Sequence, residues 1–235
     1  MSEHISSAYD RDLEAIQTLV IRMGGLVEEA ILQAAEALAN RDLELAEKVK
    51  AGDKVIDALE IQINDEAART IALRAPVSKD LRSVLTVLRI AASLERIGDY
   101  AKNMAKRTGT LAEMPLINGS DNALRRMARE VQSMLKDVLD SYIRRDVELA
   151  EQVRQRDQEI DEMYNALFRE FLTFMMEDPR NITPCMHLHF MAKNVERMGD
   201  LATNMAEQVI YLVTGEMPDE DRPKGDQTSF VSTPE

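Results

Sequence analysis

The amino-acid sequence predicts an all-α protein built from two similar halves. Of its 235 residues, about 45% are apolar and only 4% are aromatic, and the strong helix formers Ala, Leu, Glu, Arg and Met are abundant. A β-rich chain would use more Val, Thr, aromatic and turn residues, whereas this one has no Trp, 9 Gly and 7 Pro. The chain also contains an internal duplication, which favours two related units packed together.

Three long amphipathic helices are predicted in the first half. Apolar residues recur every three or four positions, and Asp42 can cap the start of the second helix. Pro76 ends that helix, Ser78 is the expected cap of the third, and Gly109 should lie beyond the end of the third. The predicted helices cover residues 9–38, 43–73 and 79–106.

The second half repeats this design. Asp178 and Pro179 close the second of its helices, Thr183 and Pro184 are expected to open the last one, and Gly215 should follow its end. The predicted helices cover residues 121–143, 146–175 and 184–213. Because the connections are short, neighbouring helices should be antiparallel. We therefore predict two tandem, pseudo-repeated antiparallel three-helix bundles.

The predicted boundaries place the first bundle in residues 1–110 and the second in residues 111–215. Residues 216–235 are polar and contain three Pro and several acidic side chains. Such a composition buries too little apolar surface to fold alone, so we expect a disordered acidic tail.

The duplication is strongest in two blocks that carry acidic residues. Residues 90–105 and 191–206 are identical at 9 of 16 positions, and residues 41–57 and 145–161 at 10 of 17. Each half thus has two pairs of carboxylates spaced four residues apart. The eight residues are Asp53, Asp57, Glu95, Asp99, Asp157, Asp161, Glu196 and Asp200.

This spacing is unfavourable unless a positive group lies between the carboxylates. Residues four apart share one face of a helix, where like charges repel. Antiparallel packing would bring the second and third helices of each half together, so four carboxylates could meet at one seam. Asn103 or Asn204 would lie one turn further on, and Gly98 or Gly199 would let a neighbouring backbone or a bound ion approach.

All-oxygen ligands suit Mg²⁺ or Mn²⁺ and, less exclusively, iron or zinc. We therefore predict divalent metal ions at the eight carboxylates. The alternative is that these are solvated helix faces, with the carboxylates paired to Arg96, Arg197 or Lys54. No nucleophile–base constellation, phosphate-binding loop or His/Cys metal spacing is recognisable, so we expect no catalytic site.

Charge and composition exclude several classes of protein. The formal charge of −13 argues against nucleic-acid binding, which needs a basic surface, and against anchoring on an anionic membrane. No apolar run is long enough to insert into a membrane, and the N-terminus lacks a signal-peptide pattern. The single cysteine, Cys185, fits a reducing compartment, so we expect a cytoplasmic protein.

At these same motifs the chain resembles the PhoU family of phosphate-uptake regulators. The resemblance lies in the two Leu/Val-Glu-Arg-x-Gly-Asp-x-Ala-x-Asn blocks and in the Asp-x-x-Ile-Asp segments at 53–57 and 157–161. The segment 79–82 resembles the start of the family's third helix, whereas the equivalent segment 180–183 departs from that pattern. The similarity covers roughly residues 9–214.

The resemblance implies more than the residues alone predict. Members of this family are cytoplasmic, often homodimeric, and can bind multinuclear metal clusters at the acidic motifs. They act as adaptors in signal transduction: with the phosphate ABC transporter and its ATPase, they keep a sensor histidine kinase quiet when phosphate is plentiful. The resemblance therefore implies a negative regulator of phosphate homeostasis that has no catalytic reaction.

Two alternatives remain open at the level of sequence. One is an all-α, Mg²⁺-dependent nucleotide pyrophosphohydrolase, which also uses carboxylates borne on helices; the basic residues and Glu-Glu-x-x-Glu run of such a site are not evident here. The other is a purely structural helical adaptor without metal. Nucleotide turnover and metal analysis would distinguish the three hypotheses.

Overall fold

The structure, a computed structural model, describes residues 2–218, with side chains from position 8 onward. It consists of helices, with no strand in the described part of the chain. The helices are α1 (Ser2–Asn40), α2 (Leu43–Arg74), α3 (Lys79–Ala112), α4 (Ser120–Arg144), α5 (Val147–Glu177) and α6 (Ile182–Thr214). The predicted tail from position 219 onward lies outside the described residues.

The starts of α2 and α5 are determined by the same aspartate cap. Asp42 Oδ1 accepts a hydrogen bond from the backbone N–H of Leu45 at 2.9 Å, and Asp146 Oδ1 accepts one from Leu149 at 3.0 Å. Each bond satisfies an amide that has no partner within its own helix. The predicted cap at Asp42 is confirmed, and the duplication extends to its geometry.

The third helix begins at Lys79 as predicted, but one predicted cap and two predicted helix ends are wrong. Ser78 has a left-handed backbone (φ 48°) and makes no side-chain cap. The last helix begins at Ile182 instead of after Thr183, because a short 3-10 turn at Pro179–Asn181 leads straight into it. Gly109 lies inside α3, where it is exposed and helical, so it weakens the helix slightly and does not end it.

The six helices form two bundles that pack on each other through equivalent members. Helices α1, α2 and α3 pack pairwise, as do α4, α5 and α6. Between the halves, α1 contacts α4 and α3 contacts α6, while α2 and α5 remain on the outside. Two of the three helices in each half thus contact their own counterparts, as an approximate two-fold requires. The predicted all-α, duplicated architecture is confirmed.

One apolar core runs through both bundles. On α4, the predicted apolar face is fully buried, including Met127, Val131 and Met134, and each such side chain contributes roughly 1.5–3 kcal/mol to stability. The contact between α1 and α4 depends on Gly24, because a Cβ there would collide with Leu139. Among the described residues, we find no helix whose apolar stretch would suffice to cross a lipid bilayer.

Candidate metal site

The eight predicted residues lie at two equivalent seams. We call Asp53, Asp57, Glu95 and Asp99 the first cluster, and Asp157, Asp161, Glu196 and Asp200 the second cluster. The first lies between α2 and α3, and the second between α5 and α6. Each seam joins an outer helix to one of the helices that build the contact between the halves.

A lysine pairs with two carboxylates of the first cluster. Lys102 donates hydrogen bonds from Nζ to Asp53 Oδ2 and, at 3.0 Å, to Asp99 Oδ1. Asp53 is only 4% exposed, and its other oxygen, Oδ1, is buried without a hydrogen-bond partner among the described residues. Burying a carboxylate oxygen without a partner is costly, so this position can accept a further donor or a cation.

The electrostatics of the first cluster show how close its members lie. Burial and the neighbouring charge of Asp53 raise the pKa of Asp57, and burial and the charge of Asp99 raise that of Glu95. The hydrogen bonds to Asp53 and Asp99 raise the pKa of Lys102. Four carboxylates therefore repel one another around a single ammonium group, as expected if they meet at one seam between α2 and α3.

The second cluster is more deeply buried. Asp157, Asp161 and Glu196 are all at most 6% exposed. Lys193 Nζ donates to Glu196 Oε1 at 2.8 Å, and the hydroxyl of Thr203 donates to Asp157 Oδ1 at 3.2 Å. This cluster too contains a lysine–carboxylate ion pair, but its lysine comes before the motif carboxylate in the sequence instead of after it.

Glu196 is a strongly perturbed carboxylate of the second cluster. Burial raises its pKa from 4.5 to about 7, against the opposing effect of Lys193, while the charges of Asp200 and Asp161 raise it further. Its Oε2 atom is buried with no hydrogen-bond partner among the described residues. In both clusters, therefore, one buried carboxylate keeps an unsatisfied oxygen.

The two motif glycines allow the helices to approach closely. A Cβ on Gly98 would lie 3.1 Å from Ile56 Cδ1 of α2, and one on Gly199 would lie 3.3 Å from Ile160 Cγ2 of α5. The group that comes close is thus an isoleucine side chain, whereas the sequence predicts a backbone or a bound ion there. The isoleucine holds the two helices at the separation that places the carboxylates on a shared seam.

Several expected participants lie elsewhere. Asn103 and Asn204 are exposed, and so are Arg96 and Arg197. The lysines that pair with the clusters were missed, although each lies three residues from a motif carboxylate on the same helix face: Lys102 follows Asp99, and Lys193 precedes Glu196.

The donors fit a hard cation in type, but they are not arranged as a ligand set. Within residues 8–218, no group of three or more His, Cys, Asp or Glu side chains is positioned to hold a metal ion. The all-carboxylate composition and the unsatisfied oxygens of Asp53 and Glu196 match what Mg²⁺ or Mn²⁺ requires. An ion would have to displace the Lys102 ammonium from the first cluster. Metal binding therefore stays a prediction.

The paired three-helix repeats and their acidic seams define a class of duplicated helical proteins, and the comparisons name it. The PhoU domain family matches this chain twice, over residues 20–108 and 124–209, so the chain belongs to the PhoU domain family. The two matches correspond to the two structural repeats.

Curated relatives extend over nearly the whole chain. A phosphate-specific transport system accessory protein PhoU homolog from Rhizobium meliloti is 48% identical over 98% of this chain and 97% of the relative. One with the same name from Caulobacter vibrioides is 46% identical over 97% of this chain and 100% of the relative. These relatives are named as accessory proteins, and their names contain no enzymatic activity.

Solved structures agree with the fold. The crystal structure of PhoU from Pseudomonas aeruginosa superposes with a TM-score of 0.85 at 37% identity, covering 88% of this chain and 100% of the other. The phosphate transport system regulatory protein PhoU from Streptococcus pneumoniae superposes with a TM-score of 0.82 at 30% identity, covering 90% and 100%.

Proposed function

We propose that this protein is a non-enzymatic regulator of phosphate uptake that acts by contact. Near full-length similarity to proteins named as accessory to the phosphate-specific transport system carries this proposal. The absence of a recognisable nucleophile–base pair among the described residues is compatible with it but does not carry it.

In finer terms, we propose a cytoplasmic adaptor that contacts the ATPase of a phosphate ABC transporter and a sensor histidine kinase. It would restrain the phosphate-starvation response when phosphate is plentiful. The support is the family resemblance, together with six long helices that offer broad outer faces on α2 and α5, the two helices not used between the halves. Homodimer formation belongs to the same proposal.

The two carboxylate clusters are proposed to hold divalent metal ions as structural parts of this adaptor. Their support is the recurrence of four carboxylates at both seams, each with one buried oxygen that lacks a partner. A bound ion would neutralise the mutual repulsion of the carboxylates and link an outer helix to an inner one. It would thereby rigidify the surfaces of α2 and α5 that face possible partners.

Deleting the gene and following a phosphate-starvation reporter tests the regulatory proposal. We expect derepression in ample phosphate, restored by a plasmid copy of the wild-type chain. A copy in which Glu95, Asp99, Glu196 and Asp200 are all changed to the corresponding amides should restore repression only in part. This loss is expected because the clusters shape the helices that contact partners.

A matched variant controls for the loss of four negative charges. Asp10, Glu14, Glu113 and Glu216 are exposed and lie outside α2 and α5, and changing them to amides removes the same charge from the surface. This variant should repress like the wild type if the clusters matter. Normal repression in the deletion strain would refute the regulatory proposal.

A further inference from the structure

A cavity of about 280 Å³ lies between the start of α3 and the ends of α4 and α6, and each residue of its wall is at least 12 residues from every motif carboxylate. We call it the basic cavity. Its wall is formed by Lys79, Ser83, Arg145, Leu212 and Val213. Two of these five residues are cations, in a chain whose net charge is −13.

Two arginines at the basic cavity have N–H groups without hydrogen-bond acceptors among the described residues. Arg145 Nη1 is buried without a hydrogen-bond partner among the described residues, and so is Nε of Arg82, which precedes Ser83 on α3. Arg82 lies against Gly215, just beyond Val213, with its guanidinium 5.6 Å from the centre of the Tyr211 ring. None of the ion pairs formed by described residues involves Lys79, Arg82 or Arg145.

In the first repeat, the equivalent arginine has hydrogen-bond acceptors. Arg41 is the counterpart of Arg145, and both have left-handed backbones, with φ of 52° and 58°. Arg41 donates from Nη1 to the carbonyl of Ala112 at 2.9 Å and from Nη2 to that of Met114 at 2.8 Å. The repeats therefore share the arginine but not its acceptors.

The cavities differ in the same way. The equivalent space beside Arg41 is only about 20 Å³, because residues 115–117 of the α3–α4 connection cover it. That volume holds roughly one water molecule, whereas the basic cavity has room for a hydrated small anion. The second repeat thus has an open space beside an arginine with an unsatisfied N–H group.

We propose that the basic cavity binds a tetrahedral oxyanion, either free inorganic phosphate or the phosphate of a nucleotide. Arg145 would supply a guanidinium fork, Lys79 a second charge, and Arg82 a third nearby. The start of the 34-residue α3 adds a partial positive charge at the same side. The hydroxyl of Ser83 donates to the carbonyl of Lys79 at 3.2 Å, so the binding rests on the cations.

Negative groups near the cavity do not fill this role. Tyr9 donates its hydroxyl to the backbone carbonyl of Asp80 at 2.8 Å. Burial raises the pKa of Tyr9, the charges of Asp80 and Asp10 raise it further, and the charge of Arg145 lowers it. Neither carboxylate belongs to the wall of the cavity or pairs with its cations. The link from this site to phosphate regulation rests on the proposed function, whereas the oxyanion site rests on the geometry alone.

Calorimetric titration of the full-length, metal-free chain with inorganic phosphate, sulfate and ATP tests the site. We expect saturable binding of at least one of these ligands. Binding of phosphate and sulfate would indicate a site for a free anion, and a higher affinity for ATP would indicate a site for a nucleotide. Arg145→Gln should weaken binding at least tenfold, and Arg145→Lys less. Arg41→Gln is the matched control, which should bind like the wild type.

Because Arg145 sits in a strained backbone, Lys79→Gln provides a second variant at an exposed position. It should weaken binding about three- to tenfold while circular dichroism and melting temperature stay unchanged. No saturable binding of any of the three ligands would overturn the proposal, as would wild-type affinity in Lys79→Gln or an equal loss in Arg41→Gln. Binding by the purified chain together with normal repression in the deletion strain would refute the regulatory function and leave the site standing.

Discussion

The two carboxylate clusters have equivalent acidic residues, but the lysines that pair with them come from different positions of the repeat. In the first cluster only Asp53 is buried, and Lys102 lies between it and Asp99. In the second cluster Thr203 occupies the position equivalent to Lys102, and the lysine is Lys193, whose counterpart in the first repeat is Ala92. The carboxylates thus recur in both copies, while the lysines do not.

This difference bears on what the carboxylates are for. If they served only to bind a particular lysine, the duplication would be expected to keep the lysine with them. The feature common to both clusters is instead a set of four carboxylates with one unsatisfied buried oxygen. A cation supplied from solution is the partner that both copies can share. The comparison therefore supports the proposed metal sites.

The largest effect expected from this comparison is stabilisation by metal. An ion that binds only the folded chain adds about 2.7 kcal/mol per site at a hundredfold excess over its Kd. In a chain of this size, each such site should raise the melting temperature by roughly 5–10 °C. The measurement is a thermal melt with chelator and then with added Mn²⁺ or Mg²⁺.

Variants of one cluster at a time make this test specific. Asp53→Asn with Asp57→Asn should abolish the gain of the first site, and Asp157→Asn with Asp161→Asn that of the second. If metal leaves the melting temperature unchanged, and if Glu95→Gln with Asp99→Asn raises it without any loss of bound metal, the clusters are only mutually repelling charges.

A second effect, on the order of 1–3 kcal/mol, should follow pH in the metal-free protein. The pKa of Glu196 is raised from 4.5 in the unfolded chain to about 7 in the folded one. Its contribution to stability is thus fully present below pH 4.5 and is lost as pH rises through 7. The free energy of unfolding, measured with urea in chelator, should therefore fall between pH 5 and pH 8.

Glu196→Gln should flatten this fall and make the protein more stable than the wild type at pH 8. The gain will be less than the full shift, because the hydrogen bond from Lys193 to Glu196 Oε1 loses its charge assistance when the acceptor becomes a neutral amide. Glu95→Gln is the comparison from the first repeat, where the carboxylate is only half-buried, so it should act in the same direction but more weakly. Equal pH profiles for the wild type and Glu196→Gln would contradict the assignment.

The helical fold could be predicted because its signals are local. The apolar period, the cap at Asp42 and the break at Pro76 each act within a few residues, and the structure has helix boundaries near all of them. The failures at Ser78 and Thr183 arise where the backbone departs from the usual cap geometry, which composition does not reveal. How α1 meets α4 depends on side chains far apart in the chain, such as Gly24 and Leu139.

The candidate site was predicted in its acidic residues but not in its charge balance. The carboxylates could be identified because their unfavourable four-residue spacing occurs in both repeats, which is not expected of surface residues placed by chance. Lys102 and Lys193 were missed because they occur at different positions in the two repeats, so the duplication that revealed the carboxylates concealed the lysines. The basic cavity was missed for a related reason. Arg41 and Arg145 occupy equivalent positions in the duplicated sequence and differ only in their tertiary surroundings.

The smallest expected effect concerns the glycines of the acidic motifs. Gly52 is exposed within α2 with open space at its Cβ, so Gly52→Ala should stabilise the protein by about 0.5–1 kcal/mol through helix propensity alone. Gly98→Ala gains the same propensity, but its Cβ would press on Ile56 at 3.1 and 3.3 Å and push α2 away from α3. We expect this variant to be about 1–2 kcal/mol less stable than Gly52→Ala, measured by urea denaturation. Since the same displacement would separate Asp53 from Asp99, Gly98→Ala should also reduce the stabilisation by metal at the first cluster. Equal stability of Gly98→Ala and Gly52→Ala would show that the close contact between α2 and α3 is not needed.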